Sequence, residues 1–379
     1  GLQVQGDFFP GKHHLLIAGL DAWQKAYEGY RTKETRIDIL NPDGSVKKST
    51  FRTIGEAPLP EATYSSIGHY AQDEWRLLEE RLILGLGGRI DQIKTENDQT
   101  LNPLYEIVDG VRNNAPAGQI VLWPEESATD HSWSGNFSLL YRIREQMDLT
   151  LNLGRSFRVP SLEERYQYID QGSLVKVGDP DLEPEQGGFT DLGLRIWSDR
   201  LQLQVNGFYN RMNNLVAEMP GSYENRKALL KTNIGKAELY GGDARIDFKP
   251  AQGCAIWARA AYVHGEDLRT NKPLSQIAPL NGSIGYHNGC LNWLSIDLSA
   301  MMFATQERLA DGEVRTPGYV YYNFYLNSRA IPLGSARGFL TVGVENITNR
   351  AFRNHLSTNR GLVAIEPGRN FTATWRMEI

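Results

Sequence analysis

The sequence predicts an all-β chain, an antiparallel transmembrane β-barrel of the outer-membrane type, on three observations. Period-two alternation of apolar and polar residues recurs from end to end. Short and long connections alternate strictly between the extended runs. No run of about 18 apolar residues occurs, so helices cannot be the membrane spans and only a closed barrel of strands remains as a membrane architecture.

Composition bounds the reading in the same direction. A hydrophobic fraction of 41% and a mean hydropathy of -0.43 are too polar for a helical bundle in lipid. The net charge is -5, with 40 Lys+Arg and 45 Asp+Glu mixed along the chain. That leaves no basic stripe, so nucleic acid is excluded as a partner. Cys254 and Cys290 sit in no zinc-binding spacing; a disulfide in an oxidising periplasm and two unpaired thiols are both open readings.

About fifteen strands are expected: 2–8, 13–31, 64–78, 82–94, 131–143, 147–157, 188–197, 201–216, 229–248, 254–265, 277–287, 291–305, 319–331, 338–348 and 369–379. Leu201, Leu203 and Val205 interleave with Gln202, Gln204 and Asn206, giving an oily face and a polar one. The closing strand sets Phe371, Ala373, Trp375 and Met377 against Thr372, Thr374, Arg376 and Glu378. A soluble sandwich would alternate too, so loop lengths decide. Short turns fall at Pro10-Gly11, Glu79 to Arg81, Arg144 to Gln146, Ser198 to Arg200, Pro250 to Gly253, His287 to Gly289 and Pro332 to Gly334. Long loops cover 32–63, 95–130, 158–187, 217–228, 266–276, 306–318 and 349–368. Outer-membrane barrels segregate periplasmic turns from extracellular loops in this way. Trp75, Trp123, Trp133, Trp197, Trp257, Trp293 and Trp375 fall mostly near strand ends, where interfacial girdles form.

Three stretches carry a family resemblance. Tyr70-Ala71-Gln72-Asp73-Glu74-Trp75 is followed by Gly85-Leu86-Gly87-Gly88-Arg89-Ile90-Asp91. Ser156-Phe157-Arg158-Val159-Pro160-Ser161-Leu162-Glu163-Glu164-Arg165-Tyr166 precedes Gly178-Asp179-Pro180-Asp181-Leu182-Glu183-Pro184-Glu185. Val344-Glu345-Asn346-Ile347-Thr348-Asn349 leads to the closing strand after Pro367-Gly368-Arg369. In this order they resemble the C-terminal barrel of TonB-dependent outer-membrane receptors, with Asp179 where the family pattern has asparagine and Ile379 where it ends on an aromatic residue.

The resemblance implies a 22-stranded barrel plugged by an N-terminal domain that carries the TonB box. Nothing in the chain resembles plug or box, and an odd number of antiparallel strands cannot close. Residues 1–379 are therefore expected to be a partial barrel domain, with the plug and the first barrel strands absent. The resemblance further implies a receptor in the Gram-negative outer membrane, surrounded by lipid and coupled to the TonB complex through the missing N-terminal region. It would import a scarce small-molecule ligand, a ferric siderophore first. Haem, cobalamin or another metal complex is the alternative, as is a passive porin.

No catalytic residue, cofactor or metal site is expected, because the chain has no nucleophile elbow and no HExxH. A bowl of Arg, Lys and Tyr suits an anionic chelate through charge-assisted hydrogen bonds and stacking. The candidates are Arg158, Arg165, Tyr166, Tyr168 and Lys176 in one long loop, with Tyr223, Arg226 and Lys227 in the next. Haem receptors of the family usually carry a histidine between the two boxes, and residues 161–178 contain none.

Overall fold

The computed structural model describes residues 1–359 and 364–378; Ile379 of the closing strand and 360–363 of the last expected loop lie outside the described residues. By pairing, the main sheet has 17 strands, of which Lys272–Pro273 and Ile331–Leu333 are short side segments. The other fifteen run in chain order. The first five are β1 (Leu2–Phe8), β2 (His14–Tyr27), β3 (Ala62–Leu77), β4 (Leu82–Asn97) and β5 (Glu126–Arg144). They continue as β6 (Met147–Arg158), β7 (Glu185–Trp197), β8 (Leu201–Asn213), β9 (Lys236–Ala251) and β10 (Cys254–Asp267). The last are β11 (Asn281–Asn288), β12 (Leu294–Phe303), β13 (Tyr319–Ser328), β14 (Ala336–Glu345) and β15 (Asn370–Glu378). Each pairs antiparallel with the next, and among the described residues β1 pairs only with β2 and β15 only with β14. β3 and β4, 16 residues each, exceed the roughly 9–11 that a tilted strand needs to cross hydrocarbon. No helix among the described residues is long and apolar enough to do so.

Register assigns the two faces. Residues directly opposite share a face, and Ile284 lies opposite Ala258 and Ala300, the latter opposite Tyr322. Val4, Ile67, Ile90, Val205, Ile284, Tyr322, Val342 and Trp375 follow the same parity, and all are exposed. Ile90 is 66% exposed, which in water would be a fault and in lipid is the expected surface. The opposite face is polar and lines the lumen. There Arg89 donates to Asp21 at 2.6 and 3.0 Å and to Asp91 at 2.8 Å, with Asp91 buried.

Four departures from the sequence reading have physical causes. The expected strand 229–248 is two strands, Arg226–Asn233 and β9, because Gly235 takes φ +89 and turns the chain between them. Four of the seven long loops carry sheets of their own: Arg31–Leu40, Val46–Glu56, Tyr105–Val108 and Val111–Asn113 form one, and Tyr168–Asp170, Val175–Val177, Arg226–Asn233 and Val216–Tyr223 another. Trp123 belongs to no girdle, being buried among loop residues. Trp257 alternates with lipid-facing Ile256 and packs on the lumenal side, where a Cβ on Gly285 would come within 2.2 Å of its ring. Both cysteines are unbridged, and the Cys290 thiol donates to the Gln252 carbonyl at 3.2 Å.

Candidate functional site

Two structures stand at the long-loop end of the wall. The first is a crown unit built by loops 158–187 and 217–228. It starts at Pro160-Ser161, where Ser161 caps the five-residue helix α1 (Leu162–Tyr166): Glu164 N–H donates to Ser161 Oγ at 3.2 Å, and Ser161 N–H to Glu164 Oε2 at 2.9 Å. After the helix, Gly178 packs back against it so closely that a Cβ would meet the Arg165 backbone at 2.6 Å. Val175–Val177 then pairs in parallel with 228–230, which joins the two loops into one sheet. The tip of the second loop is Glu224-Asn225, both with positive φ, the two-residue turn whose twist suits a hairpin.

This unit has its own core: Leu59, Leu122, Trp123, Tyr166, Tyr168, Val175 and Val177. Tyr166 is 1% exposed and meets Trp123 edge-on at 5.9 Å; Tyr168 meets Tyr223 edge-on at 5.9 Å. Burial pushes the hydroxyls of Tyr166 and Tyr168 above their ordinary range, so both stay neutral. Arg165, also buried, donates to Asp130 at 2.9 Å and to the Leu182 carbonyl at 3.3 Å, pinning the loop to β5. Arg158 grips Glu164 through two hydrogen bonds, 2.6 and 3.0 Å, and Glu185 at 2.6 Å. Burial alone would raise the Glu164 carboxyl, but Arg158 and the Ser161 N–H together hold it below its usual value. Arg226 reaches Asp170 at 2.7 and 3.1 Å, and this hydrogen-bonded guanidinium lowers the Asp170 carboxyl. Lys176 pairs with Glu218 at 3.1 Å.

The structure therefore brings all eight candidate residues into one unit, but mostly as its supports. Arg165, Tyr166 and Tyr168 are inside it; Arg158, Arg226 and Lys176 are paired with carboxylates; Tyr223 is half-buried. Lys227 stands exposed on the hairpin of the same sheet.

The second structure was not singled out by sequence reasoning. On the lumenal side of β12 and β13 the rings of Phe303, Tyr319, Phe352 and Tyr321 stack, with centroids 4.7 Å, 4.3 Å and 5.0 Å apart in turn. Beside them opens a cleft of about 320 Å³, lined by Arg315, Tyr319, Arg350, Phe352, Arg353 and Ile365. Arg315 is paired with Glu307 at 3.0 Å, whereas the exposed guanidiniums of Arg350 and Arg353 have no partner among the described residues. In the loop that carries Phe352, His355 is buried, 3.1 Å from Thr316 Oγ1 and 3.6 Å from Glu313. Unopposed cations on an aromatic wall can hold an anion that carries flat apolar groups. The available signal was weak: Tyr319, Tyr321 and Tyr325 alternate on one strand face, and Arg350 and Arg353 follow the Glu345-Asn346 stretch.

Comparison with known proteins agrees with this architecture. The profile described as TonB dependent receptor-like, β-barrel matches residues 1–347. A curated relative, TonB-dependent heme receptor A of Haemophilus influenzae strain 86-028NP, is 24% identical over 219 residues, which are 55% of this chain and 26% of the relative. Among solved structures, the copper transporter OprC superposes with a TM-score of 0.73 at 18% identity, over 99% of this chain and 55% of that one. The FrpB iron transporter of Neisseria meningitidis (F3-3 variant) gives 0.65 at 13%, over 99% and 54%. The Serratia marcescens hemophore receptor HasR, solved with its hemophore HasA and heme, gives 0.62 at 13%, over 96% and 58%. At these identities the superpositions speak for the fold alone, and the chain spans little more than half of each solved structure.

Proposed function

The chain belongs to the TonB-dependent receptor-like β-barrel family, and from that premise we propose that it forms part of the wall of a Gram-negative outer-membrane receptor for TonB-coupled uptake of a ferric siderophore. The observation that carries the cargo reading is the lumenal cleft, where Arg350 and Arg353, without an ion-pair partner among the described residues, stand beside stacked Tyr319 and Phe352. An anionic chelate with aromatic or amide planes satisfies both surfaces. Crown residues that reach solvent, Lys227 and Tyr223 foremost, would make first contact, while Arg158, Arg165, Tyr166, Tyr168, Lys176 and Arg226 hold the crown in shape. In the complete receptor residues 1–379 are one part of the barrel domain, with a plug and further strands alongside. The odd strand count supports this, since β1 and β15 run parallel and cannot pair as neighbours in an antiparallel wall. Family membership favours energised uptake over a passive porin, and transport over catalysis.

A haem cargo is the second reading, favoured by the Haemophilus relative's name. The placement of the histidines weighs against it. His69 and His131 follow the lipid-facing parity, opposite Ile90 and Gln92. His264 stacks on Tyr240 at 4.5 Å, and His355 is enclosed by Thr316 and Glu313. Full-length receptor titrated with a panel of ferric siderophores should lose at least tenfold in affinity in an Arg350→Ala, Arg353→Ala double variant. Unchanged affinity would remove the cleft from the argument. A stoichiometric Soret shift with haemin, abolished by His131→Ala or His355→Ala, would replace the siderophore reading with haem.

A further inference from the structure

The lipid-facing side of the wall carries a groove away from the lumenal cleft. Gly88, Gly135, Arg155, Gly188 and Arg211 lie directly opposite one another in register on β4 to β8, one row across five strands. They share the parity of Ile90 and Val205, so all five belong to the exposed apolar face. Nothing lies within 4 Å of where Gly88 or Gly188 would place a Cβ, and the row is a trough. On the short-turn side it is walled by Leu86, Phe137, Leu153, Thr190 and Tyr209, the next row in the same register; on the other side stand Ile90 and Trp133. The groove measures about 690 Å³.

Two cations stand in the row itself, on either side of Gly188. Arg155 lies over the Trp133 ring at 4.2 Å, donates to the Trp133 carbonyl and to Gln186 Oε1 at 2.9 Å, and so is held in place. Arg211 is exposed with no side-chain partner among the described residues; Glu238, opposite it, instead accepts from the Tyr209 hydroxyl at 3.1 Å. One strand separates the two arginines, so they stand roughly 9–10 Å apart with Gly188 between them. Both long side chains can therefore reach a group seated above that glycine.

Height fixes what that group meets. Arg155 lies nine residues beyond Gln146 in the short turn, or roughly 23 Å along the membrane normal for a rise of about 3.4 Å per residue and a tilt of about 40°. That is the extracellular edge of an apolar band about 25 Å tall, where a cation on the lipid face costs little and faces headgroups.

We propose that this groove binds a phosphate-bearing acyl lipid of the outer leaflet, its phosphate between Arg155 and Arg211 and an acyl chain along the glycine trough against Phe137, Leu153 and Tyr209. The charge of the two arginines and the apolar trough beneath them match the two halves of such a lipid. A bidentate guanidinium contact suits a phosphate, and Trp133 stiffens one of its two donors.

The full-length receptor, purified from outer membranes in mild detergent and delipidated, tests this by native mass spectrometry and Trp fluorescence. The probes are dioleoyl phosphatidic acid, uncharged dioleoylglycerol and inorganic phosphate. Expected is a stoichiometric phosphatidic acid adduct that survives millimolar phosphate, at least tenfold tighter than dioleoylglycerol. Arg211→Gln should weaken it about tenfold. Gly188→Leu should weaken it comparably with both arginines intact, because the side chain fills the trough. Heat-modifiable gel mobility, unchanged in both variants, shows that the wall still folds. Equal binding of dioleoylglycerol, displacement by inorganic phosphate, or a folded Arg211→Gln variant that binds as the parent does would each overturn the site.

Discussion

The wall and the crown are both β-structure, yet they place their apolar residues in opposite environments. In the wall, Ile90 and its row-mates are among the exposed residues of the chain, and stability comes from strand ladders and lumenal ion networks such as Arg89 with Asp21 and Asp91. In the crown, Val175 is 0% exposed and Tyr166 1%, and a small aromatic core holds sheets that lie outside the wall's ladders. The wall relies on the bilayer to cover its oily face, whereas the crown must cover its own.

The contrast predicts that one substitution can undo the crown and leave the wall standing. Tyr166→Ala removes the largest fully buried side chain of the crown and should cost about 3–5 kcal/mol of local stability, as for other large aromatics cut back in a core. Limited proteolysis should then cleave within 158–187, while the gel mobility of unboiled protein stays that of a folded barrel. Loss of the folded band would show that wall and crown are one cooperative unit.

The wall has a matching test at β15. Ala373 lies opposite Val342 and shares its lipid-facing parity, whereas Thr374 lies opposite Thr341 on the lumenal face. Ala373→Arg should cost roughly 2–4 kcal/mol near the midplane, with Trp375→Arg milder toward the short-turn end and Thr374→Arg tolerated. The folded fraction in vesicles measures all three. A more damaging Thr374→Arg would invert the faces and, with them, the lipid-facing groove at Arg155 and Arg211.

How much of each region was legible follows from the range of its contacts. Fourteen of the fifteen wall strands appear near their expected bounds because alternation is local: Leu203 and Val205 face lipid whichever strand lies beside them. The crown was read as ligand-facing loop because Arg165, Tyr166 and Tyr168 are residue types that bind anions when exposed. What buries them is the pairing of Val175 with Ala228, 53 residues away, and contact with Leu59 and Trp123. No local pattern encodes that. The strand expected over 229–248 ran through Gly235 because the glycine sits within otherwise continuous alternation. Arg350 and Arg353 went unnoticed because their setting is made by Phe352 folding onto Tyr319, from a loop 33 residues later in the chain.

A smaller effect separates a crown glycine from a wall glycine. Gly178 approaches the Arg165 backbone at 2.6 Å and Gln167 N at 2.8 Å from its ideal Cβ, and backbone cannot swing aside. Gly178→Ala should cost about 1–3 kcal/mol by overpacking. Gly188→Ala, with nothing within 4 Å, should be near neutral. Protease susceptibility of the crown for the first, and vesicle folding for the second, would check the pair; equal effects would erase the distinction.

The smallest predicted effect is a pH dependence confined to the crown. Asp170 has its carboxyl lowered chiefly by the Arg226 hydrogen bonds, with the Gly172 N–H adding to them at 2.7 Å. A carboxyl lowered in the folded state stabilises above its unfolded value of about 3.9, and the contribution vanishes as pH falls through the folded value. The Asp170–Arg226 tie should therefore be intact at pH 5 and above and weaken progressively below about pH 4. Because the Arg226 side chain is 35% exposed, water screens the pair, and its worth is at most about 1 kcal/mol. Hydrogen exchange of 168–177 should speed up between pH 6 and pH 3 beyond the intrinsic trend, and Asp170→Asn should flatten that excess while raising exchange at pH 6. Strands β3 and β4 should show no matching step from this pair, since the side-chain hydrogen bonds at Asp170 and Arg226 among the described residues run between the two, to Gly172 and to Arg31. An excess that persisted in Asp170→Asn would assign it to another carboxylate pair, with Arg158 and Glu164 the next to test, since Glu164 too is held below its usual value.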